Sequence, residues 1–591
     1  MITKKKIAVG IDDFERIIER NCYFVDKTPF LKQLLQENED AALLLTRPRR
    51  FGKSLTMSML ANFLAITNLD NPSDISKNQK LFEGLEIFKD TEFCQQYMGK
   101  YPVIFLSLKG VEAPNFYAAF SVLCQKLWEV YFKYKNVIVN SPVLDQDLKE
   151  QFLFIYKTLN EANNNKKEDF ETQISKLKES LKFLSQVLYI HFNQYVVVIV
   201  DEYDVPVEKA RHKFYDQMLD VIRNMLGNSL KSNTSVFKGF LTGCLRITKE
   251  SIFTGWNNFK VYDLNNLKYA KLFGFTEDEV KEILKYYNFE DKFSDIKEWY
   301  DGYRFNDIEI YNPWSVLQFV QDLVDDRDIE PQSYWINSSS NALINEFISE
   351  AKSDTYDEFE VLLQGGTIQK QLNLTMNYSS LDKGESDAFW SMLYLTGYLT
   401  TADKVKNNIY TLRIPNKEIK ECFKERIVDY FAYESDTYKT SSQNLIQNLA
   451  QNDAQQVQLT LTNLLDNYIS VLDVKKSYEY MYHMFLSGIL VASKNQVKHI
   501  ADYKSNEPSG DGFADIRFVI TEPQNIGVVI EIKRADNEDQ MYDLCAVALK
   551  QCIEREYYRN YIRNTNIKKI YIYGIAFHKR SCAVVSEEIK K

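Results

Sequence analysis

A chain of 591 residues, 45% hydrophobic and 14% aromatic, exceeds what one hydrophobic core serves, so two to four domains of about 100–200 residues each are expected. Its 20 Gly and 12 Pro leave little room for long disordered linkers, and a net charge of −10 excludes a uniformly basic, polyanion-coating surface. The longest apolar runs fall short of the roughly 18–20 residues that span a bilayer, and residues 1–10 lack a signal peptide's apolar stretch, so no membrane partner is expected.

In chain order, Ala41–Thr46 is an apolar run that predicts a buried strand, and Ser54–Ile66 predicts the helix after it. Val103–Leu108, Tyr195–Val200 and, less strongly patterned, Ser235–Thr242 predict further strands separated by helices. Such alternation predicts a parallel sheet covered on both faces, an α/β nucleotide-binding domain over residues 1–265. The polar run Asn163–Lys167 reads as a surface loop. From Phe275 the pattern turns helical, with Thr276-Glu277-Asp278-Glu279 as a capping box opening a helix to Tyr287. Residues 266–345 read as a helical lid and 346–465 as a helical adaptor region. Over 466–591 a helix (Tyr478–Ala492), two strands, a helix from about Asp539 to Tyr561 and a strand (Lys569–Ala576) predict an αββαβ unit. The eight cysteines lack any CxxC pair and read as reduced thiols, so an intracellular protein, cytoplasmic or associated with the nucleoid or nucleus, is expected.

Between the first strand and its helix lies Arg47-Pro48-Arg49-Arg50-Phe51-Gly52-Lys53-Ser54. It ends like the phosphate loop G-x-x-x-x-G-K-S/T, but Arg47 stands where the first glycine belongs. Arg50, Gly52, Lys53 and Ser54 are the candidate nucleotide contacts: Lys53 for the β and γ phosphates, Ser54 for magnesium, and the helix start for an anion. The competing reading is a basic turn with a chance GKS. Val196–Val200 followed by Asp201-Glu202 matches what a Walker B strand needs, with Asp201 near magnesium and Glu202 polarising the attacking water. Arg246, after the predicted strand ending near Thr242, is a candidate phosphate-contacting arginine.

Near the C-terminus, Gly510-Asp511-Gly512-Phe513-Ala514-Asp515 precedes Val528-Val529-Ile530-Glu531-Ile532-Lys533. Alternation along a strand puts Glu531 and Lys533 on the face shared with Val529. If the Asp515 strand lies alongside, two carboxylates and an ammonium converge, a set able to hold magnesium and prepare water to attack a phosphodiester. The alternative is an exposed salt-bridge ladder. Residues 471–591 carry 18 Lys and Arg against 16 Asp and Glu, so this part is the better match for a polyanion. Arg555, Arg559 and Arg563 would line one side of the following helix if it continued that far, either tracking phosphates or facing solvent. The five histidines have no metal-ligand spacing.

With Tyr23-Phe24-Val25-Asp26-Lys27-Thr28, the Arg47–Ser54 loop, Val200–Asp204, Trp299–Tyr303, Tyr311–Trp314 and Tyr334–Asn337, the chain resembles AAA-ATPase-like proteins whose C-terminal domain belongs to the PD-(D/E)XK nuclease superfamily. That family also lacks the first loop glycine. The resemblance implies an α/β P-loop sheet, a helical middle and a restriction-endonuclease-like αβ domain. It implies ATP and Mg2+ as cofactors and nucleic acid, DNA favoured, as substrate. Asp515 and Glu531 match the metal ligands of a D…ExK motif, Lys533 the lysine that orients water or stabilises charge, and Gln551 and Tyr557 an accompanying Q-x5-Y. Glu479 matches an acidic residue on the first helix of such domains, and Phe513 replaces a family arginine. A magnesium-dependent nuclease with an ATP-binding domain is therefore expected, the alternative being an ATP-dependent switch or binding module with a non-cutting nuclease fold. A homo-oligomer is compatible with the sequence but not specified by it.

Overall fold

The computed structural model describes residues 4–36, 41–161, 170–246, 259–335, 358–359, 361–375, 386–403, 408–426, 439–467, 479–497, 500–509, 512–522 and 524–591. The predicted loop Asn163–Lys167, as well as Ile336, Asn337, Tyr478, Gly510 and Asp511, lies outside them. The chain divides into two compact units, Met1–Tyr334 with Gln369–Lys417, and Trp335–Ile368 with Glu418–Lys591.

In the first unit the apolar runs become β1 (Ala42–Thr46), β2 (Val103–Ser107), β3 (Val196–Asp201) and β4 (Val236–Gly243), joined by the short β5 (Phe259–Tyr262). They form one sheet in the order β2-β3-β4-β1-β5, every pair parallel. β1 and β3 are buried at every position, as strands covered on both faces must be, and this is why they read as continuous apolar runs. Parallel strands deliver their following loops to one edge of the sheet, where ligands of open α/β sheets bind. Here that edge gathers the Arg47–Gly52 turn, the Asp201–Asp204 turn and the residues after β4.

Further along, the helix Glu277–Tyr287 has the predicted capping box, Thr276 bonding the Glu279 amide and Glu279 bonding back to Thr276. Glu279 also pairs with buried Lys27, Nζ to Oε1 2.7 Å, so the N-terminal Asp26-Lys27-Thr28 segment is fastened to this helix. Val280, Ile283, Leu284 and Tyr287 bury one face against Tyr300, Val316 and Phe319. The middle of the chain, expected to be helical, also carries a hairpin, β6 (Tyr303–Phe305) with β7 (Ile308–Ile310), and the strands β8 (Ile368–Gln371), β9 (Thr400–Thr401) and β10 (Ile409–Arg413), which form a sheet in the order β8-β10-β9. Strands of two to five residues are too short to impose a visible two-residue period.

The second unit holds a mixed sheet in the order β11 (Ile500–Ser509), β12 (Gly512–Ile520), β13 (Ile526–Arg534), β14 (Lys569–His578), β15 (Ser581–Ile589). Neighbours are antiparallel except β13 and β14, whose parallel pairing requires a crossover, supplied by the helix Met541–Glu554. The predicted αββαβ order gains an edge strand on each side. β11 escaped the pattern because Asp502, Lys504, Asn506, Glu507 and Pro508 break its hydrophobicity and a bulge interrupts its register between Ala501 and Lys504. The crossover helix ends at Glu554, well short of Tyr561, because Glu556 takes a left-handed φ of 46°. Arg555 caps that helix while Arg559 and Arg563 belong to a separate turn, and Arg559 pairs with Glu556. The helix does not continue far enough to stack the three arginines along one side.

The crossover helix lies directly on β14 because residue 574 is glycine: a Cβ there would sit 2.2 Å from the Cys545 carbonyl and 2.8 Å from the Leu549 amide. Gly574 is the register partner of Glu531, so the same close approach brings the helix over the candidate carboxylate. Gly574→Ala should lift the helix and destabilise this unit by about 1–3 kcal/mol, the usual penalty for overpacking. Urea unfolding checks this, and a variant as stable as wild type would mean that the helix is not seated there.

Candidate functional site

At the edge of the first sheet Arg47 continues β1, its amide bonding the Gly243 carbonyl at 3.1 Å. Its guanidinium is wholly buried and donates to the carbonyls of Thr46, Tyr262 and Tyr269 at 2.7, 3.1 and 3.2 Å, beside the rings of Phe273 and Phe305. Burial pulls its pKa down to about 10 against the support of Asp263 and Tyr394. The side chain that replaces the usual first glycine thus enters the core and ties β1 to the segment after β5. Arg49 grips both oxygens of Glu208, at 2.6 and 2.8 Å. Arg50, at φ 69°, donates to the Tyr334 carbonyl at 2.6 Å and stacks over Trp314. Gly52, at φ 82° and ψ 18°, opens the helix Lys53–Leu64 in a conformation that glycine reaches without strain.

Lys53 curls back over its own loop, Nζ donating to the carbonyls of Arg47 and Pro48 at 2.9 and 2.8 Å. Ser54 follows on the first helical turn, half-buried. Across from them, buried Asp201 accepts from Thr242 Oγ1. Glu202 sits at φ 53°, a left-handed position that an ordinary residue holds only under constraint. Burial and then Asp201 push its carboxyl above the ordinary carboxylate range, while Lys53 and Lys109 pull it back. Asp204 accepts from the Cys244 and Leu245 amides at 2.8 and 2.9 Å, and burial raises it to about 6 despite them. Lys53, Asp201 and Glu202 therefore share one electrostatic neighbourhood. Arg50 is engaged elsewhere, and Arg246 is half-buried immediately before residues outside the described set.

In the second unit β12 and β13 bring the C-terminal candidates together. Asp515 Oδ2 accepts from the Ile532 amide at 2.7 Å, which joins the two motif strands at the site itself. Glu531 is 2% exposed. Burying a carboxylate costs roughly several kcal/mol, but Val528, Val529, Ile530 and Ile532 are fully buried on the same strand, each worth about 1.5–3 kcal/mol. The strand can therefore carry the charge. Lys533 Nζ donates to Glu531 Oε1 at 3.1 Å and lies 3.8 Å from Glu479 Oε1. Gln551 donates to that same Glu531 oxygen at 2.5 Å and to Tyr557 Oη at 3.2 Å. Glu479 accepts from the Arg534 amide at 3.2 Å. Lys533 and Gln551 thus bond the Glu531 carboxylate directly, Glu479 and Tyr557 reach it through them, and Asp515 is held at the next residue of the same strand, so the exposed-ladder alternative does not describe them.

Burial, then the neighbouring Asp515, push the Glu531 carboxyl up to about 7, with Lys533 opposing. Burial alone would depress Lys533, but Glu531, Glu479 and Asp515 outweigh it and hold its pKa above the ordinary value. Burial and then Asp515 also raise Glu479, against Lys533. Glu531 Oε2 is buried without a hydrogen-bond partner among the described residues, an acceptor left over once Lys533 and Gln551 have taken Oε1. Among those residues no three acidic, His or Cys side chains form a complete cation cage. Two carboxylates suit magnesium nonetheless, since it retains several waters and takes oxygens from a bound phosphate.

The raised Glu531 has a measurable consequence. In metal-free protein its contribution to stability is fully present below the ordinary glutamate value near 4.5 and is lost as pH rises through about 7. With EDTA present, the melting temperature of this unit should fall between pH 5 and pH 8 more steeply in wild type than in Glu531→Gln. Parallel profiles would refute the assignment.

Thr242, Asp204, Lys109 and His483 were not among the sequence-derived candidates. Thr242 lies at a strand end, where a polar residue looks unremarkable, and His483 bonds a backbone carbonyl that no side-chain spacing encodes.

Two stretches of the chain match models of known families. Residues 8–253 match the AAA-ATPase-like family model, described as predicted AAA-ATPase, and residues 477–587 match the PD-(D/E)XK nuclease superfamily. The second match runs from just before the Glu479 helix into β15. A protein from Azotobacter chroococcum mcd 1, named an uncharacterized protein in the vnfD 5' region, is 24% identical over 435 residues, covering 72% of this chain and 70% of that protein. No solved structure matches.

Proposed function

We propose that this chain, an AAA-ATPase-like protein with a C-terminal PD-(D/E)XK superfamily domain, is a magnesium-dependent nuclease that hydrolyses phosphodiester bonds in DNA, with ATP binding at the N-terminal loop regulating or powering the cut. The observation that carries this reading is the buried Glu531 with one unpartnered oxygen, set among Asp515, Lys533 and Gln551.

In this reading Asp515 and Glu531 hold the cation at the nuclease centre. Magnesium, when bound there, supplies Lewis acidity and a water acidic enough to deliver hydroxide. The protein's own groups do the rest. Gln551 uses both amide hydrogens, one on Glu531 and one on Tyr557, to fix the Glu531 carboxylate. The Lys533 ammonium, kept charged by its three acidic neighbours, orients water and stabilises the charge that builds on the phosphoryl oxygens. Glu479 steadies Lys533 from the other side. At the N-terminal site Lys53 and the helix start take the phosphates, Ser54 and Asp201 a second magnesium, and Glu202 activates water for ATP hydrolysis. Arg50 contributes to phosphate binding only if it leaves the Tyr334 carbonyl and the Trp314 ring, and Arg246 is a further phosphate contact in this reading.

The test is a cleavage assay on plasmid DNA, linear DNA and RNA with magnesium, with and without ATP, using Asp515→Ala as control. Cleavage lost in the variant supports the reading. Metal-independent DNA binding without any cutting would favour a binding module with a nuclease fold.

A further inference from the structure

The helix Glu479–Val497 touches the nuclease centre at two residues one turn apart. Glu479 accepts from the Arg534 amide, directly after Lys533 on β13. His483, four residues on and therefore on the same helical face, places Nε2 2.8 Å from the carbonyl oxygen of Asp515 on β12. A carbonyl can only accept, so Nε2 carries the hydrogen and donates it. Ser505 Oγ on β11 lies 3.2 Å from the same nitrogen. His483 is 3% exposed, and the bond is made to the backbone of the metal-ligand candidate itself.

We infer that His483 is a positioning residue for this centre: its Nε2–H anchors the Asp515 carbonyl and sets the angle at which the Asp515 carboxylate is presented, while Glu479 anchors the adjacent strand from the same helix. One rigid helix thereby braces both motif strands at the motif residues. The inference rests on the nuclease reading for its purpose but not for its geometry. Groups that orient metal ligands through hydrogen bonds typically change affinity or activity by about 10–100-fold when removed.

The test uses the full chain with two substitutions: His483→Gln, which keeps an N–H donor, and His483→Leu, which keeps bulk without one. The first readout is hydrogen exchange of the Ile532 amide in metal-free protein, because that amide donates to Asp515 Oδ2 and reports where the carboxylate sits. Exchange should quicken in His483→Leu and stay near wild type in His483→Gln. The second is Mn2+ binding by calorimetry, expected to weaken about tenfold in the Leu variant and little in the Gln variant. Cleavage should show a lower kcat with unchanged KM for DNA in the Leu variant and recovery in Gln. Wild-type exchange and Mn2+ affinity in His483→Leu would overturn the inference, as would equal losses in both variants. If His483→Leu does not fold, His483→Gln decides alone: a large loss of Mn2+ affinity rejects the donor role and retention supports it. Asp515→Ala binding Mn2+ like wild type would sink the metal-site reading instead, with Ile532 exchange still judging the brace.

Discussion

Asp515→Ala and Lys533→Ala should each reduce magnesium-dependent DNA cleavage by at least about 10²–10³-fold, the range seen when one group that stabilises developing charge is removed from an enzyme site. The two losses should differ in kind. Asp515 is both a candidate ligand and the acceptor of the Ile532 amide, so its removal subtracts an oxygen from the cation and one side-chain tie from the end of the β12–β13 ladder. Added Mn2+ should recover little. Lys533 supports Glu531 at 3.1 Å and opposes the upward shift of a carboxyl that already reaches about 7. Without the ammonium, Glu531 should hold its proton to still higher pH, so the pH–rate profile of Lys533→Ala should move towards the alkaline side while that of Asp515→Ala stays flat and low. Lys533→Arg, retaining charge but not the compact ammonium, should show less displacement of the profile. Single-turnover cleavage of supercoiled plasmid across pH 6–9 measures both effects. Unchanged cleavage in either alanine variant would remove that residue from the centre.

How much of this arrangement is legible in the sequence depends on what each residue bonds. Val196–Val200 and Val528–Ile532 announce themselves because strands buried on both faces leave uninterrupted apolar runs, and Asp201, Glu531 and Lys533 stand out because charge breaks those runs where burial continues. β5 and β11 stay hidden for the opposite reason: a four-residue edge strand and a bulged, polar, proline-bearing one leave no period to read. The helix end at Glu554 was obscured because Arg555–Arg563 keeps helical spacing, and only the left-handed turn at Glu556 breaks it. Arg47 reads in sequence as a lost glycine. Its role in the fold comes from three backbone carbonyls, two of them more than two hundred positions away, and carbonyls carry no residue signature. His483 stays hidden on the same ground, since metal-ligand spacing says nothing about a bond to the Asp515 backbone. Side-chain partnerships within short motifs are written in the sequence, whereas side-chain to main-chain partnerships across the fold become visible only once the chain is folded.

Glu202→Gln should lower ATP hydrolysis by roughly 10²–10⁴-fold, the contribution of a positioned general base, while leaving ATP binding intact. Burial and the adjacent Asp201 raise the Glu202 carboxyl, making it a better proton acceptor than an exposed glutamate, while Lys53 and Lys109 oppose the shift. Its left-handed backbone costs about 1–3 kcal/mol, and glutamine keeps that geometry, so the substitution isolates the carboxylate from the turn that presents it. Lys53→Ala should behave differently, losing binding as well as turnover. In the structure the Lys53 ammonium is already bonded to the Arg47 and Pro48 carbonyls, so phosphate must exchange those neutral acceptors for charged ones, and charge-assisted bonds are about twice as strong. The exchange favours a nucleotide even though the first loop glycine is replaced, because the Arg47 side chain is housed in the core rather than in the loop. Phosphate release together with fluorescent-nucleotide titration separates the two variants. Wild-type hydrolysis in Glu202→Gln would assign water activation to another residue, and unimpaired nucleotide binding in Lys53→Ala would mean that the Arg47–Ser54 turn is not the phosphate site.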